Sequence, residues 1–243
     1  MLRIRLVPVL SLMLLSSLAC LLPPASVGFR GSGDVAPKGS PTVGAGASAT
    51  NMAAGTTADV ELAVSDQVAV GGSVGLAMPY DTVGLFGPFG LPTRQAQVRW
   101  ATEGSDDVGF SVTVGAAGIG RFFESGDEAG FLSISPVLGG TVRHPTRKDA
   151  LAYYGLHLQP AGWTSNPLFI TPHWITPVAG LESAPGPVRW GGELMVPMGV
   201  VSAQAFADAT DGLLEAGDQR NYLKVGVGAQ VYLRLTGTGR RDQ

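Results

Sequence analysis

Residues 222–235 alternate almost without error between apolar and polar or very small side chains. Leu223, Val225, Val227, Ala229, Val231, Leu233 and Leu235 fall on one side, and Tyr222, Lys224, Gly226, Gly228, Gln230, Tyr232 and Arg234 on the other. Side chains along a strand point alternately to its two faces, so this run makes one continuous apolar face and one polar face. It is more than twice the usual globular strand of about 5–6 residues. It is also long enough to cross a bilayer, which takes roughly 9–11 tilted residues.

The same signature recurs from about Gly39 onward. Val43, Ala45 and Ala47 mark a weak first strand. Val60, Leu62 and Val64, with Asp59 and Glu61 opposite, lead into the turn Ser65-Asp66-Gln67. Val68, Val70, Val74 and Leu76 return from it, so the pair reads as a hairpin. Further strands are read near 94–103, around Phe110–Ala116, around Leu132–Thr141, around Tyr153–Leu158, over 168–182 and around Val188–Pro197. Pro172 and Pro177 interrupt 168–182, and a proline cannot donate to a ladder, so a bulge or an altered register is expected there. With 222–235 this makes roughly ten strands, within a range of about 8–12.

Composition narrows the class. A net charge of −3 offers no basic face for nucleic acid. Beyond residue 30 no apolar run reaches the length of a membrane-spanning helix. An apolar fraction of 45% argues against disorder. Two architectures remain: a transmembrane barrel with its apolar faces outward, and a soluble exported β-sandwich with those faces inward. The opposite faces are mostly Gly, Ala, Ser and Thr. A narrow barrel lumen takes such small side chains, whereas a solvent-facing sheet carries more charge.

The N-terminus reads as an export signal over residues 1–22, with Arg3 and Arg5 ahead of an apolar run from Leu6 to Leu22. The only cysteine, Cys20, stands in Ser17-Leu18-Ala19-Cys20. This partly resembles a lipoprotein signal, whose cysteine becomes lipidated; the alternatives are ordinary cleavage near Ala25 or Gly28 and an uncleaved anchor. Residues 23–38 read as a flexible leader, 39–236 as the barrel and 237–243 as a polar tail.

Connections between the strands alternate in length. Those at 65–67, 104–107, 144–149 and 183–186 are short, and those at 79–93, 121–129, 160–167 and 201–220 are longer. Transmembrane barrels sort their loops this way, with short periplasmic turns and longer outer loops. Trp100, Phe110 and Trp190 lie on apolar faces near short turns, and Phe122 and Phe131 beside a long loop, as two interfacial girdles would require. In this pattern the chain resembles small outer-membrane β-barrel proteins of Gram-negative bacteria. It departs from them in ending on a polar tail rather than on an aromatic residue. The resemblance implies an all-β, antiparallel up-and-down transmembrane barrel in the outer membrane. Its partners would be outer-membrane lipid and the barrel-assembly machinery.

Enzyme signals are sparse. There is no G-x-S-x-G elbow, P-loop or H-E-x-x-H. His144, His157 and His173 stand without ligand spacing, so no metal or cofactor is expected. Glu61, Arg99, Arg189, Glu193 and Lys224 all fall on inward faces. Confined charges are costly unless they pair or meet water, so these predict either a salt-bridged plug or a narrow polar passage. If the 144–149 turn is a simple hairpin, Ser135 lies opposite His157. Some similar barrels are lipid-modifying hydrolases with a Ser–His pair, and Glu124, Asp127 or Glu128 would then orient the histidine. The expected function is a structural or narrow solute-passing envelope protein without enzymatic activity. The alternatives are a soluble β-sandwich binding module and a lipid-acting hydrolase.

Overall fold

The computed structural model describes residues 20–21, 31–80, 90–102, 108–121, 131–147, 150–165, 169–170, 172–184, 186–201 and 222–237. Among these residues ten strands form one antiparallel sheet that closes on itself. They are β1 (Pro41–Thr50), β2 (Ala53–Ala63), β3 (Val68–Pro79), β4 (Leu91–Ala101), β5 (Gly109–Arg121), β6 (Phe131–Arg147), β7 (Ala150–Gln159) and β8 (His173–Ser183). The last two are each in two segments: β9 (Val188–Met195 and Met198–Val201) and β10 (Tyr222–Val225 and Gly228–Thr236). Each strand pairs with the next, and β10 returns to β1 from Gly228↔Thr50 to Thr236↔Thr42. A sheet closed in this way has no second layer, so the sandwich architecture is set aside. Separately, Cys20–Leu21 runs parallel to Phe169–Ile170.

Alternation becomes an inside and an outside. Val60, Leu62, Val112, Val114, Leu194, Val231 and Leu233 point outward and are exposed, while Asp59, Glu61, Thr113, Glu193, Gln230 and Tyr232 point inward and are buried. Trp100, Phe110, Tyr154 and Trp190 stand outward toward the short-turn end. The side chains of Phe122 and Phe131 lie outside the described residues, as do 122–130, 202–221, 238–243 and most of the export signal. The turn at Ser65 is closed by its own hydroxyl, which accepts from the Val68 N–H at 3.0 Å.

One local expectation is corrected. β8 runs through Pro177, which pairs with Leu156, and neither a bulge nor a register change occurs there. The pairs Ile175↔Met198 and Val178↔Met195 keep one register across the gap between them. The Val196 N–H reaches the Pro177 carbonyl at 3.1 Å, and the Gly226 N–H reaches that of Pro197 at 2.7 Å. Each proline still accepts; only its own donor is missing, so the ladder pauses without slipping. The irregularity lies instead between Pro145 and Arg147, where β6 runs on to pair Arg147 with Ala150.

Lumen space is shared between large and absent side chains. The Tyr153 ring lies across Gly180, the Tyr232 ring across Gly191 and the Trp174 ring across Gly199, each where a Cβ would collide. The high glycine content therefore makes room inside the barrel for aromatic and charged side chains.

Candidate functional site

The lumen is where this fold gathers chemistry. In its short-turn half, six strands contribute inward charges: Asp59 and Glu61 from β2, Arg99 from β4, Arg143 from β6, Glu182 from β8, Arg189 and Glu193 from β9, and Arg234 from β10. The Arg99 guanidinium lies 3.3 Å from the Glu61 carboxylate. Arg99 Nε also faces Thr113 Oγ1 at 3.4 Å. One layer along, the Tyr153 hydroxyl donates to Glu193 at 3.0 Å and meets the Tyr232 hydroxyl at 3.2 Å. Gln230 Nε2 donates to the other oxygen of Glu193 at 2.6 Å. Register brings these groups together: Glu193 pairs with Gln230, and Gly191 with Tyr232.

The stretch ahead of β1 fills this half of the lumen. Gly31, Gly33 and Gly39 have φ of 81°, 79° and 78°, a left-handed backbone that glycine adopts freely. The turns carry Asp34 inward, where it pairs with Arg143 and lies 3.2 Å from Arg189. Arg189 also stands 3.9 Å from Glu182. Glu182 in turn accepts the Ser32 N–H at 2.8 Å. A Cβ on Gly33 would collide with Ser111 Oγ, so the segment rests directly against the wall. Near the short turns the Lys38 N–H donates to Asp66 at 2.9 Å and the Gly39 N–H to the Ala63 carbonyl at 2.8 Å. A void of about 10 Å³ remains among Gly31, Gly33, Arg99, Thr113, Gly139, Thr141 and His157. That is on the scale of a single water.

The residues singled out from sequence therefore separate into groups. Glu61 and Arg99 meet each other, Arg189 meets Asp34, and Glu193 is held by Tyr153 and Gln230. Lys224 stands apart, half-buried and paired with Gly199 at the long-loop end of β10. Ser135 and His157 both point inward but do not face each other. His157 pairs with Gly139, and Ser135 lies four residues further along β6. That offset is about 13 Å along a strand, too far for a hydrogen bond. β6 continues as strand through Thr146 to Arg147, and this moves the register. Glu124, Asp127 and Glu128 lie outside the described residues. Among the described residues no cluster of His, Cys, Asp and Glu has a metal-binding arrangement.

Asp34, Arg143 and Glu182 escape the sequence reading for different reasons. Arg143 and Glu182 share the parity of Thr141 and Gly180, so strict alternation carried through the turns would have placed them inside. Asp34 lies before the first strand, where alternation has no bearing.

No family model matches the chain, and no curated relative does. Among solved structures, it is similar to the N-terminal β-barrel domain of Pseudomonas aeruginosa OprF, with 10% identity, covering 83% of this chain and 100% of that one at a TM-score of 0.40. It is also similar to the KdgM porin, at 7% identity, 81% and 99% coverage and a TM-score of 0.42. A third likeness is to Ail of Yersinia pestis, at 14% identity, 82% and 98% coverage and a TM-score of 0.24.

Proposed function

We propose that this chain is a structural envelope protein of a Gram-negative outer membrane. Its barrel crosses the bilayer, and its lumen is filled by its own residues. The carrying observation is the outer surface, an apolar band that includes Val60, Val74, Val114, Leu194 and Val231. Soluble monomers rarely expose contiguous apolar patches beyond a few hundred Å². Trp100, Phe110, Tyr154 and Trp190 supply one interfacial girdle. On this reading the long loops, with the two-residue turn at 51–52 among them, face outside the cell, and the opposite end with its short turns faces the periplasm. Export uses residues 1–22, with lipidation of Cys20 as a further step, and insertion uses the barrel-assembly machinery.

The packing of residues 31–40 against Arg143, Arg189 and Glu182 supports a closed rather than a conducting barrel. The test combines membrane fractionation, heat-modifiable gel migration and planar-bilayer recording. The protein should sediment with outer membranes, migrate faster unheated than boiled, and give no stable sugar-permeant channel. Recovery in the soluble fraction overturns the membrane reading. A stable wide channel moves the protein to a solute-passing role.

A further inference from the structure

Arg94 is the outward exception on β4. Its neighbours on that face, Pro92, Ala96, Val98 and Trp100, are apolar or aromatic, yet Arg94 is exposed on the same side. It pairs in register with Val74 and Gly118, and no carboxylate among the described residues lies within ion-pair distance of it. A lipid-facing arginine at the bilayer centre is costly. Arg94 stands six residues from Trp100, which is about 20 Å along the strand and about 15 Å along the axis of a tilted barrel. In an apolar band about 25 Å tall this sets its Cα just past the midplane, and its long side chain must extend toward the boundary on the long-loop side to meet polar groups.

A groove of about 510 Å³ opens on the same outer surface, one outward position below Arg94. Its floor is Gly72 paired with Ala96. Val60 bounds one side, and Val70, Val98 and Val114 form a row along the edge away from Arg94. Among the described residues the apolar channel thus has a cation at one end, on the long-loop side.

We propose that this is a lipid site. A phosphate-bearing anionic lipid of the long-loop leaflet sets its headgroup on Arg94 and one acyl chain in the groove. The guanidinium fork matches phosphate oxygens in pairs. A second copy of the chain fits worse, because a two-fold contact over this patch would carry the Arg94 charge of each copy into an apolar interface. The proposal rests on the membrane reading above.

The test is native mass spectrometry of full-length protein released from phosphatidylcholine vesicles containing a minority of phosphatidylglycerol. Wild type should retain phosphatidylglycerol in preference to phosphatidylcholine. Arg94→Gln should lower that retention about tenfold, the scale of one charge-assisted hydrogen bond. Arg94→Lys, which keeps the charge and loses the fork, should retain an amount between wild type and Arg94→Gln, and Gly72→Leu should abolish it by filling the floor. Heat-modifiable migration verifies the barrel in each variant; if Gly72→Leu does not fold, Arg94→Gln decides. Equal retention by wild type and Arg94→Gln, both folded, overturns the site while leaving the membrane reading intact. Dimers lost in Gly72→Leu would assign the groove to a second copy and also overturn it. Failure of wild type to enter vesicles removes both readings.

Discussion

Arg189 and Leu194 stand five residues apart on β9, and the two sides of the sheet impose opposite rules on them. Arg189 is held inside against Asp34 and Glu182, while Leu194 is 66% exposed on the outer face. Leu194 lies four residues from Trp190, about 10 Å along the axis from the girdle, and so near the bilayer centre. Val188 lies two residues to the other side of that tryptophan. Arginine at the midplane of a barrel costs about 2–4 kcal/mol, falling to about 0–1 near the interface. Leu194→Arg should therefore destabilise the folded protein by the larger amount and Val188→Arg by the smaller, as read from urea unfolding in vesicles. Equal losses would mean that the band does not lie where the girdle places it. Inside, Asp34→Ala would take the carboxylate from Arg143 and leave Arg189 with Glu182 at 3.9 Å. Breaking a buried pair costs about 3–5 kcal/mol, and less where water reaches it. The midpoint of the heat-dependent gel shift should fall clearly for Asp34→Ala, whereas Ser135→Ala should leave it nearly unchanged.

Among the strands, β6 and β7 carry the clearest test of register. Gly139↔His157 is a direct pair, while Ser135 lies four residues away from that pairing. A disulfide needs Cα atoms within about 7 Å. In a Cys20→Ser background, Gly139→Cys with His157→Cys should cross-link on oxidation, and Ser135→Cys with His157→Cys should not. The reverse outcome would restore the facing pair that a hydrolase requires. The hairpin from β2 to β3 was legible from the Ser65-Asp66-Gln67 turn, because two long alternating runs flank it closely. The turn after β6 was not, because Pro145 and Thr146 read as turn residues although the strand continues past them. Moving the centre of the turn by two residues shifts the register by four, which separates Ser135 from His157.

At the scale of the whole molecule, closure gives the loops their two sides. The short connections between β2 and β3, β6 and β7, and β8 and β9 lie at the end where Ser40 enters β1 and Gly237 leaves β10. Epitope tags inserted after Gly126 and after Ala184 should differ on intact cells, with only the former accessible. Equal labelling of both would defeat the assignment of long loops to the cell exterior. Because residues 31–40 fill the short-turn half of the lumen, loss of one lumen contact there should affect unfolding before it creates a conducting path.

By itself the sequence determined the class of the fold and the facing of most side chains. Strand alternation is a local property with a period of two, and it survives without knowledge of any partner strand. It was enough to put Glu61, Arg99 and Glu193 inside and Trp100 and Trp190 outside. The tertiary structure alone decided which inward groups meet. Asp34 joins Arg143 and Arg189 across gaps of more than a hundred residues, through a segment with no periodicity to read. Lys224 shares a face with those charges yet stands at the other end of the lumen, because cross-strand register sets height along the barrel axis. Parity is written into each strand, whereas register and closure depend on turn geometry and on the pairing of β1 with β10, and no local pattern encodes either.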